Sequence, residues 1–330
     1  MATINNTDYL FLSAYIRARE VNLLGEKRLE QMVEAADFDE AAQVLTQCGY
    51  PELAGASDGQ LEAAFQDRRA AFLRDMENLC PEKQLVTAFR LKYDYHNAKV
   101  LVKSGGGAGS ESLFSPCGRV SPQALMSAWA EDSWRPVPSP LAAAIREART
   151  ALARTGNPQL ADIGLDKAYF AELLSLTETL SDGFYTGYAR LCIDIANLRT
   201  AVRCVRGRMD ESILRAAVID GGNVSAQRVA RRVYGEGVEA VFRDRALASC
   251  AQLGQAAIDG QPLAGFERAC DNALTAYLAG AKAVSFCPAA AVAYLAALEG
   301  EIVAARMLLL GKRSGLSADI LRERLRESYV

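Results

Sequence analysis

The chain has 330 residues, half of them hydrophobic, with Lys+Arg 37 against Asp+Glu 40 and a net charge of −3. That length allows about two or three compact units with ample core, and the near-neutral balance excludes broad electrostatic wrapping of nucleic acid. His96 is the only histidine, so multi-histidine metal centres are excluded and a Ser-His-Asp arrangement would have to use it.

Met1–Glu20 mixes Asn, Asp, Arg and apolar residues without an apolar signal core, so no secretory leader is expected. Asp37, Asp39 and Glu40 form an acidic cluster that reads as a helix surface rather than a catalytic pair. Leu61, Phe65, Phe72, Met76 and Leu79 recur at helical spacing. Ser104–Ser110, S-G-G-G-A-G-S, is a loop by composition, as is the proline-rich Trp134–Pro140. Ser139-Pro140 is predicted to cap the next helix, with proline in its first position, and Gly156 to close it. Phe184, Tyr188, Leu191, Ile195, Leu198 and Val202 alternate in steps of four and three on one helix face. Pro262, Pro288 and Ser317 stand at helix starts, and Leu295, Ile302, Arg306 and Leu309 share one side of a long helix. Alternating Val/Ile/Thr runs with hairpin turns are missing, so the predicted fold class is all-α.

The chemistry searched for is not in the sequence. The eight cysteines form no C-x-x-C pair and read as reduced, mostly buried thiols. Gly311-Lys312 lacks the rest of a P-loop, and Gly105-Gly106-Gly107 follows a helix rather than a strand. H-E-x-x-H and G-x-S-x-G are absent. No catalytic residue, metal or cofactor is therefore assigned. The longest uncharged apolar run, around Cys287–Leu298, is shorter than the ~20 residues of a membrane-spanning helix. Arg228, Arg231 and Arg232, and Arg322, Arg324 and Arg326, read as solvated faces or as a docking surface for an acidic partner.

A weak internal repeat is the most informative feature. Tyr93-Asp94-Tyr95-His96-Asn97-Ala98-Lys99 can be laid on Ile193-Asp194-Ile195-Ala196-Asn197-Leu198-Arg199 at an offset of 194 − 94 = 100. Glu301 to Arg306 keeps the acid and the base, with Ala304 at the Asn position, at 301 − 194 = 107 from the second copy. New helix starts follow at Val120-Ser121-Pro122, Val224-Ser225-Ala226 and Leu316-Ser317-Ala318; Leu24-Gly25-Glu26 is a weaker one near the N-terminus. Three related helical units are expected, at 1–113, 114–217 and 218–330. Acid and Asn share a helix face, and the base is turned away from the acid. Such repeated polar groups either line a shared central face or form an internal network with no other role.

From Phe266 onward the order of motifs is recognisable. Phe266-Glu267-Arg268-Ala269-Cys270-Asp271-Asn272 precedes Phe286-Cys287-Pro288, Ala293-Tyr294-Leu295 and Glu299-Gly300-Glu301-Ile302. Ala305-Arg306-Met307-Leu308-Leu309-Leu310-Gly311-Lys312 and Ile320 to Val330 follow. With Leu165-Asp166-Lys167-Ala168-Tyr169-Phe170 and Tyr15-Ile16-Arg17-Ala18-Arg19, this resembles the family of C subunits of the V-type (A/V-type) rotary ATPases, known as d subunits in eukaryotes. Cys287 departs from the glycine expected after the Phe.

The resemblance implies an all-helical funnel of three units in pseudo-threefold arrangement. It implies a non-catalytic piece of the central stalk, peripheral to the membrane at its cytoplasmic face. Its partners would be the proteolipid (c/K) ring below and the D and F subunits of the shaft above. It would couple ATP hydrolysis or synthesis to H⁺ or Na⁺ transport, with no cofactor, nucleic acid or small-molecule substrate of its own. The residues assigned to a partner-binding central face are Asp94, Asn97, Lys99, Asp194, Asn197, Arg199, Glu301 and Arg306. The competing readings are a generic helical-repeat scaffold and an enzyme built on His96 or a thiol such as Cys287.

Overall fold

In the computed structural model, residues 6–243, 246–284 and 286–330 are described. Among them every regular element is a helix and there is no strand, as the periodicity predicts. In chain order the α-helices are α1 (Leu10–Glu20), α2 (Glu26–Glu34), α3 (Phe38–Thr46), α4 (Asp58–Leu79), α5 (Lys83–Ser104), α6 (Pro122–Ala130), α7 (Ser139–Thr155) and α8 (Pro158–Thr177). They continue with α9 (Phe184–Arg206), α10 (Glu211–Ala217), α11 (Ala226–Val241), α12 (Ala248–Ile258), α13 (Leu263–Ala279), α14 (Pro288–Arg313) and α15 (Ala318–Arg324).

The ends follow local chemistry. Ser57 and Gln60 form a reciprocal capping box that starts α4. Asp37 accepts the Glu40 N–H at the start of α3, so the acidic cluster is a helix cap. Gly105 and Gly156 close α5 and α7 with φ of 68° and 63°, a conformation that disfavours any residue with a Cβ. One boundary differs from expectation: Pro138 is the cap of α7, and Ser139 is already helical with no capping hydrogen bond. Pro138, with its ring-fixed φ of −51° and an extended ψ of 136°, takes the last non-helical position, which moves the start one residue earlier.

The packing repeats. The long helix α5 rests on α6, α7 and α8; α9 rests on α10, α11, α12 and α13; α14 rests on α1, α2, α3 and α4. The last helix of each group touches the next long helix: α4 meets α5, α8 meets α9, and α13 meets α14. The apolar core has two parts, a larger one shared by α1 to α8 with α14, and a smaller one around α9 to α13 that contains Leu198, Val202, Phe242 and Phe266.

Candidate functional site: the repeated polar motif and the faces of the long helices

Asp94 is wholly buried on α5. Its carboxylate accepts the backbone N–H of Arg119 at 2.8 Å and of Val120 at 3.2 Å, and the Arg119 guanidinium at 2.5 Å. One turn later, Asn97 exchanges two hydrogen bonds with the Ser115 backbone, each 2.8 Å. The second copy does the same. Asp194 accepts the N–H groups of Asn223 and Val224 at 3.0 and 2.9 Å, and Asn197 exchanges two 2.8 Å bonds with Ile219. A connection lying against the helix has no ladder of its own, so the buried side chains satisfy its backbone groups. Burial pushes the Asp94 carboxyl upward; Arg119 and the two amides work against it.

The third copy differs in its partner. The buried Glu301 accepts the N–H of Leu24 at 2.8 Å and the hydroxyl of Tyr50 at 2.6 Å. Leu24-Gly25-Glu26, the weaker helix start, thus holds the place expected for Leu316-Ser317-Ala318. The reason is that α14 packs on α2 and α3 near the N-terminus. Its first partner segment comes from the opposite end of the sequence. Two glycines accompany the two aspartates. A Cβ on Gly118 would lie 2.5 Å from Asp94 Oδ1, and one on Gly222 would lie 2.2 Å from Asp194 Oδ1. We therefore expect Gly118→Ala and Gly222→Ala to cost roughly 1–3 kcal/mol each in urea unfolding. Gly164→Ala, in an open position of α8, should instead gain about 0.5–1 kcal/mol.

The bases stand on the other side of each long helix. Lys99 pairs with Asp166 of α8 at 2.6 Å. Arg199 pairs with Glu267 and Asp271 of α13, each at 2.7 Å. Arg306 pairs with Glu62 of α4. In each case the acid lies on the last helix of the same packed group. The eight assigned residues therefore divide. Asp94, Asn97, Asp194, Asn197 and Glu301 are buried and bonded within the chain. Lys99, Arg199 and Arg306 sit on partly open faces. Acid and Asn face the connection because they share a helix side; the base cannot join them.

The sequence reading missed a second set of equivalent positions. Two residues before each acid stand Lys92, Cys192 and Glu299. Lys92 reaches Glu299 at 3.3 Å, and Arg69 of α4 reaches it at 3.2 Å. Tyr93 donates its hydroxyl to the same carboxylate. Burial alone would raise the Glu299 carboxyl, but Lys92 and Arg69 outweigh it and hold it below its ordinary range. Lys92 keeps 30% of its side chain accessible, yet burial pushes its ammonium downward. The repeat offset was the signal: extending it two residues toward the N-terminus aligns all three.

Among the described residues no group of three or more His, Cys, Asp or Glu is placed to hold a metal ion. All eight cysteines are free, and burial pushes the Cys192 thiol up to about 12, away from nucleophilic use. The exposed His96 donates from Nε2 to the Leu113 carbonyl at 2.9 Å. Among the described residues no helix is long and apolar enough to cross a membrane.

Comparison with known proteins places this arrangement. Residues 12–324 match the ATP synthase (C/AC39) subunit family. The chain is 26% identical to the C subunit of the V-type sodium ATPase of Enterococcus hirae, across 98% of this chain and 99% of that one. A match along almost the whole length leaves one conclusion: the chain belongs to the ATP synthase (C/AC39) subunit family.

Proposed function

We propose that the chain is the central-stalk connector of its rotary ATPase. It seats on the proteolipid ring of the membrane sector, receives the D and F subunits of the shaft, and passes torque between ATP turnover and H⁺ or Na⁺ movement. It is peripheral, at the cytoplasmic face. One observation carries this reading: the last helix of each packed group contacts the next long helix, α4 with α5, α8 with α9, and α13 with α14. Three junctions at corresponding places in the chain support a closed ring of three bundles around a central recess, the funnel that a shaft would enter. The bundles are best drawn as α14 with α1–α4, as α5–α8, and as α9–α13. The first then joins both ends of the chain, rather than filling 1–113 alone.

In this reading the buried acids and Asn97 and Asn197 stiffen the bundles, and Lys99, Arg199 and Arg306 are the members of the assigned set that face a partner. A torque adaptor needs stiffness and a broad contact surface, and both come from packed helices. The test is a pull-down with the full chain from solubilised membranes. Recovery of a proteolipid ring together with the D and F shaft subunits supports the reading. Recovery of the chain without either leaves a generic helical scaffold.

A further inference from the structure

Helices α12 and α13 pack as a hairpin. Gly260, at φ 111°, makes its turn, and the Gln261 N–H bonds the Ala256 carbonyl at 3.0 Å. One close approach fixes the register of the pair. Gly254 of α12 lies against Phe266 of α13, so that a Cβ at 254 would stand 3.2 Å from the ring. In an antiparallel pair, the next facing positions lie one helical turn farther from the hairpin turn on each side. Four residues before Gly254 stands Cys250, and four after Phe266 stands Cys270. The missing side chain at Gly254 brings the two backbones close, and the two thiols meet in a hydrogen bond. Both are wholly buried in the smaller core.

Other buried thiols in this chain are occupied differently. Cys48 donates to the Val44 carbonyl at 3.3 Å, Cys80 to the Glu82 carbonyl at 3.3 Å, and Cys117 to the Gln66 carbonyl at 3.9 Å. Cys250 and Cys270 instead bond each other, and they do so unequally. Cys250 sits in the first turn of α12, where the helix dipole favours an anion. The Cys270 thiol donates to it, and the Arg199 charge adds to the effect, so the Cys250 thiol titrates below its ordinary range. The same bond and burial push Cys270 upward. One sulfur is thus disposed to be the thiolate and the other to keep its proton. Ala248 and Ser249, which open α12, are exposed. Fraying of that single turn gives a water-sized solute access to Cys250.

We propose that Cys250 and Cys270 are a redox modification site, which a hydroperoxide converts to a disulfide across the α12–α13 hairpin. The Cys250 thiolate attacks one peroxide oxygen. The O–O bond breaks, the leaving oxygen takes a proton from water and departs as an alcohol (or as water, from hydrogen peroxide), and Cys250 becomes a sulfenic acid. The Cys270 sulfur then attacks the Cys250 sulfur. The S–S bond forms, and the sulfenic hydroxyl leaves as water with the Cys270 proton. Two thiols are oxidised and one hydroperoxide is reduced; a dithiol reductant reverses the change. The bridge sits beside charged contacts that α13 makes with other elements. Asp271, next to Cys270, holds Arg199 of α9 at 2.7 Å and Arg326 at 2.9 Å. Oxidation therefore locks α13 to α12 and stiffens the helix that contacts α14. The inference is independent of the connector reading.

The experiment treats the reduced full chain with a few equivalents of hydrogen peroxide at neutral pH, alkylates the remaining thiols in denaturant, and maps the peptides by mass spectrometry. The expected product links the peptide carrying Cys250 to that carrying Cys270, leaves the other six cysteines alkylated, and disappears with dithiothreitol. Its thermal midpoint should lie a few degrees above that of the reduced chain. In Cys270→Ser, Cys250 should stop at the sulfenic acid and be captured by dimedone. In Cys250→Ser, oxidation of Cys270 should be slower by about tenfold or more. Circular dichroism checks that both variants are folded, and the peptide map of the parent decides the matter if either is not. Alkylation of both Cys250 and Cys270 after peroxide overturns the proposal, as does a bridge from either to another cysteine. Dimedone capture in Cys250→Ser at the rate of Cys270→Ser overturns the assignment of Cys250 as the attacking sulfur. An oxidised chain that melts no higher than the reduced one overturns the stiffening.

Discussion

Asp94→Ala and Asp194→Ala are expected to destabilise the chain by about 3–5 kcal/mol each. Asp94→Ala removes the acceptor for two backbone N–H groups and deprives the inward Arg119 of one of its two carboxylates, the other being Glu172. Asp194→Ala removes the acceptor for the Asn223 and Val224 amides and the Asn223 side chain. The orphaned groups lie between a helix and its connection, so each carries a desolvation penalty. Urea unfolding of the two variants, with the surface change Arg203→Ala as comparison, measures the effect. The exposed Arg203–Glu267 pair should contribute less than about 1 kcal/mol. A loss at Asp94 and Asp194 no larger than at Arg203 would show that the connections find other partners.

Glu299→Gln should cost about 3 kcal/mol at neutral pH, because it leaves the buried Arg69 and the partly buried Lys92 without their shared counter-charge. The pH dependence has a definite sign. The folded Glu299 titrates below its ordinary value of 4.5, so the folded state binds this proton less readily than the unfolded chain. The contribution is full above about pH 4.5 and is lost as pH falls through the folded value. The stability gap between parent and Glu299→Gln should therefore narrow on acidification from that point. Asp94 and Glu301 are shifted the other way by burial, but they are common to both proteins and cancel in the difference. A gap that is flat or widens toward acid would refute the assignment of Glu299 as an ionised clamp between α4, α5 and α14.

Glu299 ties α14 to α4 and α5 through Arg69 and Lys92.

The helical class was legible in the residues alone, since periodicity and capping are local. The steps of Leu191, Ile195, Leu198 and Val202 name a face of α9 without any knowledge of its neighbours, and all four are buried. The repeat and the family were legible too, because ordered motifs survive whatever the chain packs against. So were the paired Asp and Asn residues and their bases. Helix geometry places a residue five positions on about 140° round the axis, so acid and base had to face different things.

What those things were depended on long-range packing. An amphipathic pattern states which residues share a side, not whether that side meets a partner or the chain's own connection. Asp94 and Asp194 turned inward because the segments at Arg119 and Asn223 cross their helices with amides that need acceptors. Glu301 met Leu24 across nearly the whole sequence, because the last long helix packs on the first short ones. No local signal encodes a contact of that span. The packing of α14 on α2 and α3 settles it, and the same packing leaves the Val303 side of that helix uncovered.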